Sequence, residues 1–312
     1  MNYIFGVDVG GTTVKMGLFT DGGILEEQWE IPTRKEERGK WILPDIATSL
    51  EKKMKEKNIS TKDCLGVGIG VPGPVDHHGI VKRCVNLGWD EFHVAEAFSN
   101  LIHMPCRVGN DANVAALGEV WAGGAKGFQN VVMVTLGTGV GGGIVVEGDV
   151  IAGANGAGGE IGHITVNRTE QDACNCGKKG CLEQYASATG IVKQTKRLLD
   201  QTMEHSALRK ESSLSAKIVF DYAKKGDKVS LQAVEQLGEK LGYALASIAC
   251  VCDPEIILLG GGVSSAGDIL VNVVEKYYKK YAFYVNADCR FAIATLENHA
   301  GIYGGAKLVL NQ

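Results

Sequence analysis

The chain has 312 residues, 45% hydrophobic and 22% charged, and this length favours two domains of about 150 residues, each with its own core. A formal net charge of -4 without any long basic run removes the attraction a polynucleotide backbone demands, so nucleic acid is not an expected partner. The sequence begins in a strand pattern rather than an export signal, has no apolar run long enough to span a bilayer, and carries nine cysteines. Together these predict a reducing cytoplasm and no membrane partner.

In chain order, "YIFGVDVGG", "TVKMGLFT" and "ILEEQWEI" predict an antiparallel meander turning at Gly10-Gly11 and at Asp21-Gly22-Gly23. A helix is expected over about 38–57, where Trp41, Ile42, Ile46, Leu50 and Met54 share a face, and "CLGVGIGVPGPV" follows as a buried strand. The interval "RVGNDANVAALGEVWAGG" predicts a strand end, a polar turn at Asn110-Asp111 and a helix from about Ala112, near a domain boundary. Then "VVMVTLGTGVGGGIVVEGDVI" gives two strands around a second glycine turn, repeating the opening plan about 130 positions later. Residues 190–252 read as mostly helical. "EIILLGGGVSSA" adds a buried strand, a triple-glycine turn and a helix start, and the chain closes with a strand near 291–295 and a helix from about His299.

Glycines between strands let backbone N–H groups approach phosphate oxygens without a Cβ in the way. In "DVGGTTVK" and "TLGTGVGGG", Thr12, Thr13 and Thr138 add hydroxyl donors, and Asp8 could orient water on a phosphate-bound Mg²⁺. Either turn alone reads equally as an ordinary hairpin. Neither is a P-loop, and the first lacks the dinucleotide spacing. "LGGGV" supplies a third turn suited to a nucleoside, and the three together favour a nucleotide.

The polar stretch "GEIGHITVNRTEQDACNCGKKGCLEQ" holds Cys174, Cys176 and Cys181 as C-x-C-x4-C, with His163 eleven residues ahead of the first thiol. Three thiolates and an imidazole close a tetrahedron around Zn²⁺ and leave no open position, so the metal is expected to be structural. Fixing that loop also fixes Glu160 and Glu183, acceptors suited to sugar hydroxyls. The other thiols, Cys64, Cys84, Cys106, Cys250, Cys252 and Cys289, are expected to be buried core residues, with the last turn of a helix at Cys250 and Cys252. Asp111 reads locally either as a proton acceptor at the turn or as a helix N-cap.

"DVGGTT", "GVPGPVD", "GNDANVAALGE", "GTGVGGGI", "GGEIGH" and "CNCGKKGCLEQ" occur in the order and spacing of the ROK family, which groups sugar kinases with related repressors, and the chain most resembles its bacterial ATP-dependent glucokinases. The resemblance implies an α/β, two-domain hexokinase/actin-like (ribonuclease H-like) fold with mixed β-sheets and an interdomain cleft. It places 1–112, with a C-terminal helix at about 300–312, in a small domain and 113–299 in a large one. It implies Asp111 as general base. Gly73, Asn110, Glu160, His163 and Glu183 would bind glucose, and His163, Cys174, Cys176 and Cys181 would bind zinc. Asp8, Gly10, Gly11, Thr12, Thr138 and Gly139 would face the phosphates of ATP with Mg²⁺, and Gly261 and Gly262 the nucleoside. It further implies a homodimer.

Kinases for N-acetylglucosamine, N-acetylmannosamine or another hexose share "EIGH", and polyphosphate is an alternative donor. A sugar-sensing repressor would need a DNA-reading module ahead of "DVGGT", where this chain has seven residues before Asp8. An actin-like chaperone would have the glycine turns without a reason for "NDAN" and "EIGH".

Overall fold

The computed structural model describes residues 2–311. Strands β1 (Tyr3–Val9), β2 (Thr13–Thr20) and β3 (Leu25–Pro32) form the expected antiparallel meander. A kinked turn, α1 (Glu36–Gly39), precedes helix α2 (Ile42–Lys57). The helix expected from residue 38 therefore starts at Ile42, because Glu37 and Arg38 take left-handed φ angles of 53° and 59° that break an α-helical run. Strand β4 (Cys64–Val71) pairs parallel to β1. A small hairpin, β5 (Ile80–Val81) with β6 (Phe92–His93), and helix α3 (Val94–Ile102) follow, none of them marked by a pattern in the sequence. Strand β7 (Cys106–Asn110) joins β4 in parallel and runs directly into helix α4 (Asp111–Ala122). The first sheet thus has the order β3-β2-β1-β4-β7.

Strands β8 (Val131–Leu136), β9 (Val140–Val146) and β10 (Asp149–Val150) come next, and then the cysteine-rich loop. Helices α5 (Glu183–Ala186), α6 (Ala188–Gln201), α7 (Ala216–Lys224) and α8 (Lys228–Cys252) lead to β11 (Ile256–Gly260), α9 (Asp268–Tyr281), β12 (Arg290–Ile293) and α10 (Ala300–Leu310). The second sheet, β10-β9-β8-β11-β12, repeats the first in plan, with β8, β11 and β12 parallel. The duplication inferred from the two glycine turns is therefore a duplication of sheet order.

Two compact units emerge: Met1–Gln129, Gly143–Gly159 and Leu296–Gln312 form one, Asn130–Gly142 and Glu160–Thr295 the other. Strand alternation sets the core of the first. Phe5 and Val7 pack with Ile42, Ile46 and Leu50 of α2 and with Phe98 and Ile102 of α3. Ile4 turns to the opposite face, against Ile302, Ala306 and Val309 of α10. Each fully buried Phe, Val, Ile or Leu among these stabilises the fold by about 1.5–3 kcal/mol. Helix α4 lies wholly in the first unit, instead of dividing at 112/113, because it meets α10 backbone to backbone. A Cβ on Gly304 would stand 1.7 Å from the Val114 carbonyl oxygen, a distance only glycine tolerates.

Of the six cysteines outside the metal motif, Cys84 and Cys289 are buried and Cys64, Cys106 and Cys252 are partly so, but Cys250 is exposed. It sits on the last turn of α8 beside exposed Val251, where the helix has run past its core. Among the described residues no helix is long and apolar enough to cross a membrane.

Candidate active site

In the first unit, the polar turn at the end of β7 is built by Asn110. Its Oδ1 accepts from the backbone N–H groups of Ala112 (3.0 Å) and Asn113 (3.1 Å), capping α4, and its Nδ2 donates to the Gly73 carbonyl at 3.1 Å. The structure thus brings Asn110 and Gly73 together. The cap falls on Asn110, one residue ahead of Asp111, which is the first helical residue and accepts from the Ala112 N–H at 2.8 Å. A carboxylate there lies at the positive end of the helix dipole.

The first glycine turn is tied down by Thr33, whose N–H reaches the Thr12 carbonyl (2.9 Å) and whose hydroxyl reaches that of Gly10 (2.8 Å). Asp8 lies near the end of β1, directly across from Lys15 on β2. Burial pushes its carboxyl pKa up, and the Lys15 ammonium offsets part of that rise.

In the second unit, His163, Cys174, Cys176 and Cys181 each present one ligand atom within 4.8 Å of the others. The Cys176 and Cys181 sulfurs are 3.6 Å apart, and the Cys174 sulfur is 3.8 Å from His163 Nδ1. Zn–S bonds of about 2.3 Å at tetrahedral angles place sulfurs about 3.8 Å apart, so the cluster has the size and donor set for zinc. Burial raises the Cys174 and Cys181 thiol pKa values. At Cys176 burial is outweighed by the Lys178 backbone N–H and the neighbouring thiols, and the pKa falls.

With Nδ1 turned to Cys174, the His163 ring points Nε2 toward Glu160, 4.0 Å from its carboxylate. Glu183 lies on the other side. Its Oε1 accepts from the Cys174 thiol at 2.8 Å, and a Cβ on Gly139 would sit 2.8 Å from its Oε2. One carboxylate therefore lies against the metal cluster and beside the second glycine turn. That turn is held by the start of α6: Ala188 N–H donates to the Gly137 carbonyl (2.8 Å) and the Thr189 hydroxyl to that of Thr138 (2.7 Å). The third turn leans on the same place. Gly261, at φ 79°, lies so close to the end of β8 that a Cβ would stand 2.7 Å from the Leu136 backbone.

Sequence reasoning passed over Glu170, Tyr185 and Arg197, which converge beside this loop. No motif marks them: Glu170 lies within the segment assigned to the metal, Tyr185 just after it and Arg197 in the stretch read as helical.

The pattern that defines the ROK family matches residues 4–312. A glucokinase from Halalkalibacterium halodurans is 44% identical over 312 residues, spanning 98% of this chain and 94% of its own. The crystal structure of a ROK family glucokinase from Streptomyces griseus, in complex with glucose and AMPPNP, matches with a TM-score of 0.77 at 29% identity over 100% of both chains. A ROK hexokinase from Thermus thermophilus matches with a TM-score of 0.81 at 29% identity, over 98% of this chain and 97% of that one. The mixed-sheet α/β architecture is the hexokinase/actin-like fold of these kinases. Motif order, sheet order and full-length similarity agree, and the chain belongs to the ROK family.

Proposed function

We propose that this chain is an ATP-dependent glucokinase that transfers the γ-phosphoryl of ATP to the 6-hydroxyl of glucose, giving glucose 6-phosphate and ADP. The observation that carries the reading is the place of Glu183, two residues after the metal-ligating Cys181 and beside Gly139 of the second glycine turn. An acceptor for sugar hydroxyls and a cradle for phosphates are thereby held side by side, as phosphoryl transfer requires.

In this reading Glu160, Glu183 and the Nε2 side of His163 hold sugar hydroxyls. Gly73 holds Asn110, and the second hydrogen on Asn110 Nδ2 goes to the same sugar. The Asp111 carboxylate takes the 6-hydroxyl proton as that oxygen bonds to the γ-phosphorus and the bond to the departing ADP oxygen breaks. Gly10, Gly11, Thr12, Thr138 and Gly139 line the phosphates, Gly261 and Gly262 the nucleoside, and Asp8 the water shell of the cation. Bound Mg²⁺ would neutralise charge on the phosphates, and zinc on His163, Cys174, Cys176 and Cys181 would hold the loop in shape. Nine cysteines, three of them in the metal cluster, suit a cytoplasmic setting.

The test is a panel of hexoses and N-acetylhexosamines with ATP and with polyphosphate, reading phosphorylated product directly. Glucose with ATP should give the highest kcat/KM, with mannose weaker. Faster turnover of an N-acetylhexosamine would overturn the substrate, and sugar binding without turnover would overturn the kinase.

The reading includes a homodimer, supported by an exposed apolar face on the second unit. There Tyr243 and Tyr281 meet edge to face at 5.5 Å, and Val251, Phe283, Tyr284 and Val285 are exposed nearby. Sedimentation should find a dimer that Tyr284→Asp converts to monomer. A monomeric wild type would refute it.

A further inference from the structure

The loop between His163 and Cys174 has a second anchor, separate from the metal. Glu170 is buried, its side chain 3% exposed, and its carboxylate accepts from five donors. Arg197 grips it in a two-pronged fork at 2.8 and 2.9 Å, the Tyr185 hydroxyl donates at 2.6 Å, and the N–H groups of Gln171 and Asp172 donate at 2.9 Å each. Tyr185 in turn accepts from Asn167 at 2.7 Å, and Arg197 also reaches Asp172 at 2.5 Å.

We propose that the Glu170–Arg197–Tyr185 cluster is a metal-independent anchor that positions Glu183 for the sugar, a claim that rests on the glucokinase reading above. Glu183 lies on the single-turn helix α5, two residues after the metal-ligating Cys181 and two before Tyr185. The metal cluster holds the segment before Glu183, and the Glu170 carboxylate holds the segment after it. Gln184 closes the frame: its Oε1 accepts from the Cys181 N–H (3.0 Å), its Nε2 donates to the Asp172 carbonyl (3.0 Å), and its own carbonyl accepts from Gln194 (3.1 Å).

A buried ion pair adds little net stability over a well-packed apolar replacement, but its directed bonds fix one geometry, and the Arg fork is the most directional pair available. The charges stay in place at neutral pH. Arg197 holds the Glu170 carboxyl well below the usual range, and burial together with Glu170 pushes the Tyr185 phenol up to about 12, so it remains a donor. Glu170, Tyr185 and Arg197 bond to one another and to the loop, and none is among the residues assigned above to sugar or nucleotide. They are positioning residues, and their loss should be read in sugar affinity rather than in chemistry.

The test is Tyr185→Phe, which deletes one hydroxyl and keeps the ring. The glucose KM should rise about five- to tenfold while kcat stays within about twofold, the ATP KM is unchanged and the zinc-to-protein ratio is unchanged. Arg197→Met should act in the same direction and more strongly, and Arg197→Lys should recover part of the loss. A lowered melting temperature with an unchanged glucose KM would show a merely structural cluster and overturn the proposal. So would zinc loss in step with the KM rise, which would place the effect in the metal site. If the wild type prefers another hexose, the glucokinase reading fails and the same shift is read on that sugar. If it phosphorylates no sugar, both fall.

Discussion

Asp111→Asn should keep glucose binding within a few-fold of wild type and lower kcat by about a thousandfold, the scale of a lost general base. The substitution suits the site because the structure separates its two possible duties. Asn110 caps α4, so the helix keeps its cap when Asp111 loses its charge. The bond that Asp111 Oδ1 accepts from the Ala112 N–H can be kept by an asparagine oxygen. What asparagine cannot do is accept the 6-hydroxyl proton. Steady-state kinetics, glucose titration calorimetry and a melting curve on the same preparation check the three parts. Turnover within a few-fold of wild type would remove Asp111 from the base role, and weakened binding with kcat preserved would reassign it to the ground state.

What the sequence made legible was local. The meander, both glycine turns and the C-x-C-x4-C segment are written in residues a few positions apart, where strand alternation, turn chemistry and ligand spacing act directly. Contacts between distant positions were not legible in the same way. Glu170 meets Tyr185 across 15 positions and Arg197 across 27, and each alone looks like an ordinary polar residue. The approach of Gly139 to Glu183 likewise exists only once β8, β9 and α5 are packed. Helix α3 escaped because nine residues hold few turns of periodicity. The exposure of Cys250 escaped because apolar neighbours in sequence do not say where a long helix leaves its core.

The two anchors around Glu183 give metal removal a graded outcome. Cys176→Ser should abolish stoichiometric zinc, raise the glucose KM about tenfold or more, and lower the melting temperature, with a smaller change in kcat. Cys176 is the exposed member of the cluster, so its replacement opens the coordination shell without carving a cavity in the core. A serine hydroxyl remains protonated at neutral pH and cannot replace a thiolate in a tetrahedral zinc site. Freed from the metal, the segment before Glu183 loses its restraint, while the Glu170 fork still holds the segment after it. Sugar affinity should therefore weaken rather than vanish, and combining Cys176→Ser with Tyr185→Phe should cost more than the two single losses multiplied. Cys250→Ser, at an exposed thiol outside the cluster, is the matched control and should leave zinc content and KM alone. Zinc measured by atomic absorption alongside glucose kinetics decides the matter: a zinc-free protein with the wild-type KM and melting temperature would break the link between metal and sugar.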